Sequence, residues 1–591
     1  MRLLVIVLCA TFCSISGAFN LYSQEAYQKT WGSYYFSIST LSPSVTTDSA
    51  SNIIVAGAQS NVLPHSYYSS FATIGAYENT VTGSNSGYIA KFSSEGSLQW
   101  ATYFPGLIFD VITMPDDSIL VCGYTDSPTG ISTPGTFNDS NASAAKKGFL
   151  CRFSPDGNII WGTYYPSVLW KMVLDSSGDI FLSGANDIDM PADSASATVG
   201  SWMTQPDFYY DEASGNANDI NGCLAKFDQN GNRAAATFTG LVEGGRSGLA
   251  IDDDDNIYIS QNLQNSNAHA GYYTTPGSEQ PLAAGMRDIV ISKFSPDLSN
   301  RIWSRYFGGP AQDASSGQLI IKDSKLYLAG SSQSQTNIAS SGSYQEQLSG
   351  SLDGFIAEFN LDGFKQWGTY YGGEGIDYIT SLESFVNGLL ISGVTSSQSN
   401  ISSSYAHQPA LGGMNDGFIT NFTVEGQREW ATYIGGEDME GICRTISLGD
   451  NEIAVAGMTA SLTGISTTGA VQPSYDEGDY IGSDTYHNLF VAKYENQALN
   501  FPENNIADLQ LFPNPNNGSF RLKGNIADAS GNLSFLVYDN LNRLIKQQEI
   551  QSSGGEIDEL FELSGQLSPG IYIARFCTGN QKIKSFKLVV R

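Results

Sequence analysis

An all-β chain of repeated four-stranded sheets is predicted by three sequence marks that each recur seven times along 591 residues. The first is a Trp followed by Thr or Ser and aromatic residues: Trp31, Trp100, Trp161, Trp303, Trp367 and Trp430, with Ala235 in the slot of the fourth copy. Successive slots lie 69, 61, 74, 68, 64 and 63 residues apart. The second is an apolar, β-branched run closed by Gly or Ser, at residues 53–57, 119–123, 180–184, 257–260, 326–330, 389–393 and 453–457. The third is a strand ending in Phe or Tyr, at residues 88–92, 149–153, 223–227, 289–294, 355–359, 418–422 and 490–494. A long period repeated this often is the signature of a repeat architecture.

Each repeat reads as a meander. The third mark is joined to the next Trp by a short turn such as Asp156-Gly157, Asp362-Gly363 or Glu425-Gly426, which between apolar runs signals a β-hairpin. A further strand precedes each second mark, as at residues 248–252, 317–322 and 378–383. Side chains alternate along a strand, so Trp100 and Thr102 face one way while Ala101 and Tyr103 face the other. With apolar residues on both faces, each sheet must be covered twice. Radial stacking achieves this and also protects sheet edges, which predicts a seven-bladed β-propeller. Because the chain opens on a Trp strand and its repeats end on a third-mark strand, the N-terminal strand is expected to complete the last blade.

These segments resemble the bacterial SBBP-type propeller repeat, most closely between residues 338 and 476, where WGTYYGG and WATYIGG stand nearly intact. Copies one and four depart most. The resemblance covers residues 25–497 and implies an architecture without specifying a ligand.

Arg2, the apolar residues 3–12 and the small residues Ser14, Ser16, Gly17 and Ala18 read as a signal peptide over residues 1–18, with cleavage as late as residue 24 left open. The apolar run is too short to span a bilayer, and Leu8 and Phe12 occupy the small-residue position of a lipobox before Cys9 and Cys13. Repeat marks cease near residue 498, leaving a polar linker at 498–507. The remainder, 508–591, contains LFPNPNNGSFRL, FLVYDNLNRLI, LSPGIYIARF and IKSFKLVVR. Pro513-Asn514-Pro515 with Gly518, the Pro569-Gly570-Ile571-Tyr572 strand start, and the basic last strand with Lys582, Lys584 and Lys587 resemble the C-terminal sorting domain of the type IX (Por) secretion system. That resemblance implies a small β-sandwich, the type IX machinery as partner, and delivery to the surface or exterior of a Gram-negative cell.

The formal charge is −30. The tail from residue 506 is nearly neutral, so the repeats carry almost all of it. Such a body repels phosphate backbones, which excludes nucleic acid, and no transmembrane segment or obligate oligomer is indicated. Two of the seven cysteines fall in the signal peptide; Cys122 and Cys151, on neighbouring strands of one blade, are the pair whose bonding is left open.

Ten residues after the Trp slot, at the expected channel mouth, stand Asp110, Asp313, Asp377 and Glu440. They read either as an incomplete carboxylate ring for a hydroxyl-rich ligand or Ca²⁺, or as acids that satisfy backbone N–H groups beside Gly-Gly crossovers. No other cofactor or metal site is expected. Asp252 to Asp255 reads as a solvated hairpin turn, since a calcium loop needs spaced oxygens and a Gly. Neither Gly-x-Ser-x-Gly nor His-Glu-x-x-His occurs, and His65, His269, His407 and His487 lack metal-ligand spacing. The expectation is a non-enzymatic exported module that binds a glycan or protein through its long loops; the alternatives are a polysaccharide hydrolase and a structural surface component.

Overall fold

The computed structural model describes residues 27–590 except 39, 60–70, 81–85, 139–146, 187–195, 208, 212–215, 219, 244–246, 265–272, 387, 405, 450, 476–486, 497–508, 515, 526–532, 539–543, 551–555, 564, 566, 568–569 and 579–580. The expected signal peptide and linker therefore lie outside the described residues. The chain divides into two compact units, Met1–Leu499 and Asn500–Arg591.

Among the described residues, the first unit holds seven four-stranded antiparallel sheets. The first is built from Thr40–Thr47, Ile53–Gln59, Ser86–Phe92 and Leu98–Phe104, and the second from Leu107–Thr113, Ile119–Thr125, Lys147–Phe153 and Ile159–Tyr165. The third comprises Val168–Leu174, Ile180–Ala185, Asn221–Phe227 and Arg233–Leu241; the fourth, Gly248–Ile251, Ile257–Gln264, Arg287–Phe294 and Arg301–Phe307. The fifth comprises Asp313–Lys322, Lys325–Ser332, Asp353–Asn360 and Lys365–Tyr371; the sixth, Asp377–Phe385, Gly388–Thr395, Asp416–Phe422 and Arg428–Ile434. The seventh is composite: Glu440–Ser447, Glu452–Thr459 and His487–Asn496 are completed by the N-terminal strand Tyr27–Ile38, with Tyr34 opposite Phe490. The first strand of each sheet lies against the first strand of the next, and Glu440–Ser447 lies against Thr40–Thr47.

Alternation explains the packing. In the second-mark strand of the first sheet, Ile53 and Val55 join a cluster with Ala454, Ala456, Leu489 and Val491 of the seventh sheet. Ile54 and Ala56 turn the other way, to Val111, Ile119 and Phe149 of the second. The same geometry answers the cysteine question. Cys122 is opposite Leu150, and Cys151 is opposite Val121, so the two thiols point to opposite faces and lie in different clusters. Both are free. They serve as small buried hydrophobes.

The repeated Trp is a clamp between sheets. Trp31, Trp100, Trp161, Trp303 and Trp367 each donate the indole N–H to a turn carbonyl of the following sheet: Ser94, Pro155, Gln229, Leu361 and Val424, at 2.9–3.3 Å. The ring covers the glycine of that turn. Gly96, Gly157, Gly231, Gly363 and Gly426 all have φ near +80° and carry no Cβ that would meet the indole at 2.7–2.9 Å. Two copies differ. Trp430 faces the end of the repeats, where Tyr27 packs against it in a tilted arrangement, ring centroids 4.8 Å apart, in place of a turn. At Ala235 a loop residue substitutes: the Trp202 backbone N–H donates to Leu298 O at 2.9 Å, while its ring meets Phe294 and lies under the Arg301 guanidinium.

The long loops protect the edge of each sheet's last strand. In the fifth sheet, Ser340 N–H donates to Gly368 O, Gln345 N–H to Thr369 Oγ1, and Tyr370 N–H to Gln345 O. Equivalent crossings occur at Thr73 and Glu78, Thr133 and Asn138, Thr198 and Met203, Thr275, Ser403 and Gln408, and Thr467 and Gln472. Such cover removes an open strand edge that would otherwise pair with another chain.

Within the second unit, Gln510–Phe512, Ser519–Asn525 and Glu556–Glu562 form one sheet. A second sheet runs in the order Leu544–Ile550, Leu533–Tyr538, Gly570–Thr578 and Gln581–Val590. Both contribute to one core around Phe520, Phe535 and Phe561, the two-sheet arrangement expected for this tail. Asn514 Oδ1 accepts from Val589 N–H at 2.8 Å, tying the Pro-Asn-Pro segment to the last strand.

The clamp is testable with two glycines of equal φ. Gly363→Ala brings a Cβ against Trp303, whereas Gly342→Ala, also at +81°, meets nothing within 4 Å. Calorimetry should show a markedly larger fall in Tm for G363A, and Trp303→Ala should cost about 3–5 kcal/mol. Equal shifts for the two glycine variants would remove the clamp.

Candidate functional site on the loop face

Three of the four sequence-selected acids occupy one structural position. Asp313, Asp377 and Glu440 are the first residues of the first strands of the fifth, sixth and seventh sheets, each four residues after a Gly whose N–H donates to its carboxylate: Gly309, Gly373 and Gly436. Hydroxyls complete the shell. Asp313 accepts from Ser332 and Ser334, Asp377 from Ser397 and Glu440 from Thr459. Asp110 is placed differently, within the strand Leu107–Thr113 and opposite Cys122. It accepts from Ser44 Oγ at 3.0 Å, Met172 N–H at 2.9 Å and Lys171 Nζ at 3.2 Å.

A second buried acid neighbours each of the three. Asp288, Asp353 and Asp416 stand beside Gly308, Gly372 and Gly435 together with Asp313, Asp377 and Glu440, and these glycines have no room for a side chain between the paired carboxylates. Asp288, Asp353 and Asp416 accept loop N–H groups, for example Ser349 and Gly350 at Asp353 and Gly412 and Gly413 at Asp416. Burial raises the carboxyls of Asp377, Asp353 and Asp416 above their ordinary range and lifts Asp288 to about 6 and Glu440 to about 7.

Between these first strands opens a cavity of about 560 Å³ lined by Ser315, Ser316, Tyr378, Ile379, Thr380 and Met439, together with Val394, Asn415, Glu440 and Gly441. All lie at the ends of strands facing the long loops and crossovers. Tyr378 is 45% exposed, as is Ile376, and Met414 is 68% exposed. The cavity thus pairs an aromatic and apolar wall with hydroxyl and amide groups. A β-bulge shapes it: Thr380 is the extra residue between the register pairs Ile379–Gly393 and Ser381–Ser392. Register shifts recur at this level in the first, second, third, fifth and seventh sheets, and a bulge next to a site re-aims side chains.

Other sequence candidates are structural. Asp252 is buried, accepts from Asp254 N–H, Asn256 N–H and Tyr258 Oη, and pairs with Lys293 at 3.0 Å. The Lys of the third mark makes the same ion pair at Asp48–Lys91 and Asp175–Lys226. His407 Nδ1 contacts Gln28 Oε1; His65 and His269 lie outside the described residues. Among the described residues no group of three or more His, Cys, Asp or Glu could hold a metal ion, and no helix is long and apolar enough to cross a membrane.

The loop crossings were not anticipated, although they carry a signal of their own. Ile131, Ile338, Ile401 and Ile465 are buried and each is followed within a few residues by the Thr or Ser that caps the outer strand.

Residues 510–591 match the family described as the secretion system C-terminal sorting domain. The second unit is therefore such a domain, and it marks the chain for handling by type IX secretion and delivery to the cell surface or beyond. No curated protein matches the sequence. Among solved structures, the chain is similar to a Dyadobacter fermentans protein of unknown function at 12% identity, covering 80% of this chain and 99% of that one with a TM-score of 0.31. It is also similar to an ulvan lyase of polysaccharide lyase family PL25 at 10% identity, covering 73% and 92% with a TM-score of 0.33. A third likeness is to PorZ of Porphyromonas gingivalis, a surface component of the type IX secretion system, at 12% identity, covering 85% and 68% with a TM-score of 0.24.

Glu440 makes the site pH-sensitive. The folded chain keeps its proton up to about pH 7, whereas the unfolded chain, with the ordinary carboxyl value of 4.5, has already lost it. The unfolded state binds fewer protons across that window, so this group's contribution to stability falls as pH rises from about 4.5 to about 7. Tm measured from pH 5 to pH 8 should decline in the parent and decline less in Glu440→Gln; parallel profiles would contradict the assignment.

Proposed function

We propose that this chain is a type IX-exported, seven-bladed propeller of the SBBP repeat type from a Gram-negative bacterium, and that its loop face binds a glycan without turning it over. The composite seventh sheet and the unbroken succession of adjoining first strands support ring closure. The observation that carries the binding role is the cavity beside Tyr378. A half-exposed aromatic flanked by hydroxyl and amide groups suits a sugar ring, which offers an apolar C–H face and polar edges. Binding is favoured over hydrolysis because the acids that would act as general acid and base already hold N–H and O–H donors of the scaffold, whereas glycoside hydrolysis needs two carboxyls free to reach the substrate. On this reading the protein needs no cofactor. A Ca²⁺ ion at Asp313 and Asp377 would show as heat in calorimetry that vanishes in the Asp→Asn double variant.

Retention of the mature chain on matrix and cell-wall polysaccharides, measured together with release of reducing ends, tests this function. Saturable retention without product is expected, with Tyr378→Ala weakening it at least about tenfold at unchanged Tm, as loss of an aromatic anchor does. Release of sugar would transfer the protein to the hydrolases. Ring closure has its own test: deleting residues 25–36 should lower the Tm of the first unit, and an unchanged transition would count against it.

A further inference from the structure

Beneath the loop-face cavity, four charged side chains from four sheets share one space. Asp110, Lys171 and Arg444 occupy the same register position just after the bulge, opposite Cys122, Ser183 and Ala456. Glu383, opposite Leu390, comes two residues after the equivalent Ser381. Their sheets are the second, third, sixth and seventh. Arg444 nevertheless senses the charges of both Asp110 and Glu383, and Glu383 those of Lys171, Arg444 and Asp110. Side chains from sheets so far apart in order interact this way across a common central channel, so the inference rests on the propeller reading above.

The four groups are unequally satisfied. Asp110 is saturated by Ser44, Met172 and Lys171. Arg444 is not: it is 8% exposed, its Nε has no hydrogen-bond partner, and among the described residues it forms no ion pair within 4 Å. A buried guanidinium without an acceptor is costly, because its planar array of N–H donors is built for two oxygens of one anion. Trp170 adds a second unused donor at the level of Lys171. It is the bulge residue of its strand, stacks on the bulge residue Phe109 with ring centroids 4.3 Å apart, and its Nε1 has no partner.

We propose that the channel around Arg444 is an oxyanion site, taking the carboxylate or sulfate of a ligand that enters past the Tyr378 cavity. The two cations and two acids of the channel balance one another, so an arriving anion meets no net local repulsion. The acidic exterior acts from farther away and is screened at physiological salt beyond about 8 Å. The ligand class that joins this site to the cavity above it is an acidic saccharide, its ring at Tyr378 and its charged group at Arg444.

Calorimetric titration of the full chain with glucuronate, inorganic sulfate and glucose tests the site and separates carboxylate from sulfate. Expected are saturable binding of at least one anion and none of glucose at the same concentration, a loss of at least about tenfold in Arg444→Gln, a smaller loss in Arg444→Lys, and an unchanged sulfate affinity in Tyr378→Ala. Glu383→Gln, which removes a neighbouring negative charge, should tighten anion binding severalfold. A parent chain of normal Tm that is inert to both anions overturns the site, as does an R444Q chain that binds like the parent; should R444Q not fold, full affinity in R444K with its single point charge overturns it equally. Loss in R444Q with no change in E383Q would leave the anion on Arg444 but overturn the shared channel, and with it the propeller reading.

Discussion

An indole laid over the turn glycine of the next sheet is the contact on which the first unit depends. Each sheet is apolar on both faces and cannot stand alone, yet flat apolar faces leave the sliding of one sheet over another undetermined. The clamp removes that freedom: one ring fills the concave turn that only a glycine at positive φ can make, and one N–H bonds a carbonyl at its lip. The clusters between sheets then bury Ile, Val, Leu and aromatic residues in a fixed register. Where the indole is missing, Trp202 brings a ring from a loop to pack between Ala235 and Phe294, so the aromatic filling is retained where the strand sequence departs from the pattern.

Much of this was legible in the sequence because it is local. The second and third marks lie on adjacent strands, and their alternation assigns both faces. The Ala235 copy could not be completed from the pattern, since Trp202 comes from a variable loop whose partner, Leu298, lies nearly a hundred residues on. The acids show the limit of counting. Asp313, Asp377 and Glu440 follow Gly-Gly crossovers of equal length, so ten residues from the Trp slot bring them to the same place. In the second sheet Pro105-Gly106 makes a shorter crossing and the strand begins at Leu107, so the same count carries Asp110 past the mouth and beside Lys171. A spacing rule sees neither the crossing length nor the bulge.

Acids outnumber cations among the buried residues, and they are held in two ways: Asp48, Asp175 and Asp252 by the Lys of the third mark, and the crossover acids by backbone N–H and hydroxyl donors. Buried carboxylates held this way order loops without exposing reactive groups. Arg444 breaks the rule, which is why it stands out among the charged residues of the interior.

The composite seventh sheet also bears on when the chain can fold. Tyr27 pairs with Asn496, so the first strand of the repeats waits for their last strand before it finds its partner. Over that interval both complementary edges stay open, and long-range pairing of this kind is slow and prone to aggregation. Export that keeps the chain open until its last repeat has arrived suits such a sequence better than folding during synthesis, and the two complementary edges are where shielding counts most.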